Sequence, residues 1–209
     1  VDQPDATTIL GATKILGETA SGLKYGVIEA VTNREYGTWE YDENGKTVRD
    51  QFMIEPYTNY FIGRVEQPII NDVSTVGFMA TDLRRQGGDP TSAFNMDWRM
   101  KFKDNKLFFN GQVAHSRAAG DPGMAGRYSL SYRDPVWWEI MTWGGYSDKN
   151  FDVNDMGFMR RNNSWDWGLR GKIRRDVPKG IFLKQELSLR VGARGNNDGL
   201  ITSKDIDFE

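Results

Sequence analysis

The chain contains no cysteine in its 209 residues, which excludes a disulfide framework and a thiolate-bound metal. It has a single histidine, His115, so a Ser-His-Asp triad or an imidazole metal site would have to be built around that one ring. Neither sign of charge dominates. The 27 basic and 29 acidic side chains leave a formal net charge of -2, without the basic excess expected of a general nucleic-acid binder. No apolar run approaches the roughly 18 residues of a membrane-spanning helix. That excludes helical membrane proteins but not membrane barrels, whose strands alternate apolar and polar residues. No GxGxxG or GxxxxGK[ST] signature is present, so nucleotide binding has no support. The opening VDQPDATT lacks an initiating Met, a basic n-region and an apolar h-region, pointing to a processed chain or an internal piece of a longer one.

Glycine (23 residues) and aromatic side chains (12%) are plentiful, a profile of many short strands and turns rather than of a helical bundle. The clearest pattern is SAFNMDWRMKF, where Phe94, Met96, Trp98, Met100 and Phe102 alternate with Asn95, Asp97, Arg99 and Lys101. The alternation recurs. Leu107, Phe109 and Val113 oppose Asn110 and Gln112, and Tyr128 and Leu130 oppose Arg127 and Arg133. Trp165, Trp167 and Leu169 oppose Asp166, Arg170, Lys172 and Arg174, while Leu187 and Leu189 oppose Lys184, Glu186 and Arg190. Period-2 segments predict about ten strands, over 7–18, 22–35, 57–66, 74–83, 92–102, 106–116, 126–133, 136–147, 164–175 and 181–193, with no clear strand after Ala193.

The connections are expected to alternate in length. TASG, QPIINDV, KDN, RDP and DVPKG are short; YGTWEYDENGKTVRDQF, RRQGGDPT, RAAGDPGMAG and DKNFDVNDMGFMRRNN are long. Outer-membrane barrels have this asymmetry, with tight periplasmic turns and longer outer loops. On that scheme both chain ends fall at the outer rim, and residues 1–209 read as one internal segment of a larger barrel. Aromatic girdles are then expected from Trp143, Trp165 and Trp167 near one rim, and from Tyr25, Phe102, Tyr132 and Trp137 or Trp138 near the other.

Several stretches resemble a known family. TTILGATKILGETASG, GVIEAVTNRE, EPYTNYFIGRV, STVGFMATDL and DMGFMRRNN are similar, in order and spacing, to the domain-of-unknown-function family numbered 5916. In that family the region lies downstream of a family-nine-type carbohydrate-binding module and is thought to form an outer-membrane barrel. The resemblance implies architecture and supplies no catalytic motif.

The candidates for chemistry are few. His115 shares the face of Leu107, Phe109 and Val113, and Ser116 points to the opposite side, so the pair does not form a dyad. Asp148, Asp152 and Asp155 are hard oxygen ligands in one loop and form a weak calcium candidate, although the EF-hand spacing and its closing Glu are absent. DENGK and NNDG are turn signals. Asp97, Glu139, Asp166 and Glu186 share one interior as expected carboxylates, but cationic neighbours favour charge ladders over a glycosidase pair. On the polar face Arg99, Lys101, Arg127, Arg133, Arg170, Lys172, Arg174, Lys184 and Arg190 outnumber Asp97, Asp166 and Glu186. A lumen of that sign favours anions, unless the cations are neutralised by acids elsewhere in the barrel or on a plug.

The expected fold is all-β, an antiparallel up-and-down meander forming part of a transmembrane barrel in a bacterial outer membrane. Its expected role is non-enzymatic, as a pore, a transport component or a surface scaffold, with no cofactor. The expected partners are lipid, the remaining strands or a partner chain at the sheet edges, and an anionic solute or glycan. Phe94, Met96, Trp98, Met100, Leu107, Phe109, Val113, Tyr128, Leu130, Trp165, Trp167 and Leu169 are the expected lipid-facing residues. Two other readings compete: a soluble carbohydrate-binding or glycan-processing sheet protein, with Trp and Tyr stacking on sugars, and a subunit that completes its sheet with another chain.

Overall fold

A computed structural model describes residues 2–43, 45–118, 120–134, 136–178 and 180–209. Asn44 of DENGK, Ala119 of RAAGDPGMAG, Pro135 of RDP and Lys179 of DVPKG lie outside the described residues, as does Val1.

The fold is all-β. Thirteen strands are present among the described residues: β1 (Ile9–Glu18), β2 (Lys24–Thr32), β3 (Glu35–Glu43), β4 (Lys46–Glu55), β5 (Thr58–Pro68), β6 (Thr75–Arg85), β7 (Thr91–Phe102), β8 (Leu107–Ala118), β9 (Asp121–Arg133), β10 (Trp138–Ser147), β11 (Ser164–Arg175), β12 (Gln185–Gly195) and β13 (Ile201–Phe208). Eleven form one antiparallel meander in the order β1-β2-β5-β6-β7-β8-β9-β10-β11-β12-β13, and β3 and β4 form a separate hairpin. Among the described residues β1 and β13 do not pair with each other, and no closed barrel is formed. No helix among these residues is long and apolar enough to cross a membrane, which says nothing about crossing by strands.

Three expectations are corrected. The stretch 36–52, expected as a loop, contains most of the β3–β4 hairpin, in which the Trp39 and Phe52 rings meet in a tilted contact (ring centroids 5.5 Å apart) and Glu40 pairs with Arg49. Both faces of this hairpin carry charge, so no apolar alternation announces it. A strand does follow Ala193: β13 places Ile206 and Phe208 opposite Val191 and Leu189. The chain therefore ends at the rim opposite the one where β1 begins, not at the same rim.

The long-loop pattern is also narrower than expected. β8 and β9 continue through RAAGDPGMAG, with Arg117 opposite Pro122 and Ala118 opposite Asp121, and only residues 86–90 separate β6 from β7. Two large excursions remain at that rim, 33–57 and 148–163, while the opposite rim carries a nine-residue connection at 176–184 in place of the short DVPKG turn.

Antiparallel pairing puts directly opposed residues on the same face, so the register sorts the side chains. One face carries Ile15, Val27, Val65, Phe78, Phe94, Val113, Leu130, Leu169 and Leu189, and all of them are exposed. Burial is correspondingly scarce. Among the described residues the only buried hydrophobic side chains are Leu83 and Phe151. A soluble chain of this length normally buries a substantial apolar core, and this sheet turns its apolar groups outward.

Candidate functional site: the charged inner face

The opposite face is polar and lines a cavity of about 930 Å³ that collects side chains from every strand between β5 and β12. Laid flat, those eight strands would span about 34 Å. Their convergence on one cavity means that the sheet curls around its polar face.

Ion pairs lace this surface. Arg64 of β5 grips Asp97 of β7 with two bonds, Nη1 to Oδ2 at 2.7 Å and Nη2 to Oδ1 at 3.1 Å, and also reaches Glu66. Glu139 accepts from Arg133 at 3.0 Å and Arg170 at 3.2 Å, spanning β9, β10 and β11. Glu186 holds Lys172 and Lys184, while Asp176 holds Arg174 and Lys184. Phe108 also faces inward, with Lys101 Nζ 6.0 Å and Arg133 Cζ 5.9 Å from its ring centre.

The twelve charged residues expected to share a face do so from Asp97 to Arg190, except that Lys184 precedes β12 and joins through its ion pairs. The twelve expected apolar positions all lie on the other face. Trp143 is a correction. It pairs with Ser129 and Gly168 on the polar side, where Arg190 lies over its ring at 5.0 Å, so it cannot belong to a girdle on the apolar surface. Tyr25, Phe102, Tyr132 and Trp138 do lie on the apolar face near the rim of the shorter connections, Tyr132 and Trp138 stacked at 5.3 Å.

The segment 148–163 folds onto the polar face. Phe151 is buried with its backbone over Gly123, where a side chain of any kind would collide with it. The Asp152 amide donates to the fully buried Ser116 Oγ at 2.9 Å, and Arg85 Nη2 donates to Asp155 at 2.8 Å. The Arg85 guanidinium holds the Asp155 carboxyl below its ordinary range, against a smaller opposing effect of burial.

The carboxylates of the calcium candidate are not brought together in this loop. Asp148 accepts from the amides of Met124, Asn150 and Phe151, Asp152 from Asn154, and Asp155 from Arg85, so the three carboxylates are spent on separate partners. Among the described residues no group of three metal-ligating side chains is present. Of the four carboxylates expected on this face, Asp97, Glu139 and Glu186 are each engaged by cations, as the charge-ladder reading has them. His115 is exposed on the apolar face between Phe94 and Met124, with Ser116 on the other side.

Arg64, Arg85, Ser116 and Phe151 were not legible as site residues. Strand β5 carries Tyr60, Ile62 and Arg64 on one face and Phe61, Val65 and Gln67 on the other, so both faces look mixed and Arg64 does not stand out. Ser116 and Phe151 matter only because a loop returns to the sheet.

The family described as domain of unknown function (DUF5916) matches residues 1–208. The chain belongs to this family. No curated protein and no solved structure matches the chain. Membership in DUF5916 brings no activity with it.

Proposed function

We propose that this DUF5916 sheet is a wall of a bacterial outer-membrane β-barrel, with its apolar face against lipid and its charged face toward a lumen, acting without catalysis as a pore, a transport component or a surface scaffold. The observation that carries the reading is the inversion itself. Large apolar side chains are exposed along the whole outer face, and the cations and their acids line the curled inner face. In water such a surface would be an aggregation hazard of far more than a few hundred Å². In lipid it is the expected boundary.

Dimensions agree. Most strands of the main sheet run 9 to 13 residues, against the roughly 9–11 a tilted strand needs to cross a bilayer. Aromatic residues at the rims, Tyr132 and Trp138 at one and Tyr146 opposite Trp165 at the other, suit the interfacial belts of such barrels.

The test is arginine substitution read by folding into lipid vesicles. Leu169→Arg, at mid-strand on the outer face, is expected to cost about 2–4 kcal/mol, whereas Asn110→Arg on the inner face costs under about 1 kcal/mol. Equal tolerance at the two positions, or full solubility of the native chain without detergent, contradicts the proposal.

A further inference from the structure

The cations of the inner face differ in whether a carboxylate within the chain pairs with them. Arg133, Lys172 and Lys184, toward the rim of the 176–184 connection, have carboxylate partners within the chain. Arg99, Arg127 and Arg190, which line the central cavity, make no ion pair among the described residues. The acid on this lining, Asp97, is engaged by Arg64 and by Asn95.

The cavity thus holds two guanidiniums paired with carboxylates, Arg64 and Arg170, and three without a salt bridge among the described residues, Arg99, Arg127 and Arg190, of which Arg190 lies within electrostatic reach of Asp205. Like charges gathered along one concave surface repel one another unless an anion joins them, and all three side chains are open to solvent. Arg190 is held in place by the Trp143 ring, a contact that orients a guanidinium without cancelling its charge. Neutral donors, Asn110 and Gln112, complete the lining between Arg99 and Arg127. A second cavity of about 370 Å³ shares Trp143 and Arg190 with the first and adds Arg160 and Arg161 from the folded-in loop together with the carboxylates of Asp166 and Asp205, so the lining toward the rim carries both signs.

We infer that Arg99, Arg127 and Arg190 form a binding site for a small, multiply charged oxyanion, carboxylate or phosphate groups carried on a compact frame. Planar guanidiniums match both groups through paired hydrogen bonds. A cavity of this volume exceeds a single phosphate. This names the solute class of the lumen and rests on the pore reading for its transport consequence, although binding itself can be measured without a membrane.

The experiment is isothermal titration of the purified chain, in detergent micelles where needed, at low ionic strength. The probes are tricarballylate for the carboxylate arm and pyrophosphate for the phosphate arm, with glycerol as neutral control. At least one anion binds with one-to-one stoichiometry and glycerol does not. Arg99→Gln, Arg127→Gln and Arg190→Gln each weaken binding about tenfold or more, and Lys184→Gln changes it less than about twofold. Arg→Lys variants at the three positions, which keep the charge, cover the case in which a glutamine variant does not fold; they lose part of the affinity because the paired bonds are gone. Binding of neither probe by the folded chain, or binding indifferent to substitution of all three arginines, overturns the assignment. A membrane-inserted chain that binds neither probe defeats this inference alone, and a detergent-independent chain that binds one defeats the membrane reading alone.

Discussion

Gly168 lies directly opposite Trp143, and a Cβ there would enter the indole. Gly111 stands in the same relation to Trp98, and Gly144 to Tyr128, so aromatic side chains cover glycines across neighbouring strands. Gly168→Ala is expected to destabilise the sheet by about 1–3 kcal/mol through overpacking. Gly171→Ala on the same strand meets open space and serves as the control, within about 0.5 kcal/mol of native; urea-induced unfolding in lipid compares them. Ile70 sits at φ 66 in the turn between β5 and β6, a left-handed conformation that a β-branched residue adopts only at a cost. Ile70→Gly removes that strain, and a gain of about 1 kcal/mol is the expected outcome of the same measurement. Neither effect can be read from sequence, since both depend on which residues the register sets opposite each other and on the turn geometry.

The element that most changes the picture is the segment 148–163. Its Asp and Asn residues look like an ordinary solvated loop or a metal site, and nothing local shows that Phe151 is one of the few buried apolar side chains. The loop is held by Ser116, Gly123 and Arg85, each from a different strand, a long-range arrangement that periodicity does not encode. Ser116→Ala removes the acceptor for the Asp152 amide and is expected to cost about 0.5–1.5 kcal/mol, seen as faster hydrogen exchange at that amide while the strands stay protected. Acid is expected to act on the same clamp. Because Arg85 lowers the folded-state pKa of Asp155, the stabilisation is present above the unfolded carboxylate value of about 3.9 and is lost as pH falls through the folded value. Exchange across the loop, corrected for intrinsic rate, should therefore stay constant from neutral pH to about pH 4 and rise below it. Ten of the strands follow from period-2 patterning, for which the side-chain alternation is itself the signal. The β3–β4 hairpin and β13 do not, since one has two charged faces and the other begins beside a bulge at Arg194 and Gly195.

At the scale of the molecule, the edges constrain how this DUF5916 sheet can be completed. β1 and β13 are the first and last of eleven antiparallel strands and so point the same way. Pairing them directly would be parallel, and an all-antiparallel barrel requires an odd number of strands between them, from this polypeptide or another. Cysteines placed on facing positions of β1 and β13 are accordingly expected not to cross-link in the membrane. The two faces were legible from the alternation alone, because each strand repeats the same partition. Their environments were not, since a soluble core and a bilayer impose the same period. The most direct measurement is nitroxide accessibility scanned along 93–101 in lipid vesicles. With the apolar face against lipid, high oxygen and low nickel-chelate accessibility are expected at Phe94, Met96, Trp98 and Met100, out of phase with Ala93, Asn95, Asp97, Arg99 and Lys101. Low accessibility to both reagents at the apolar positions, as in a packed soluble core, would contradict it.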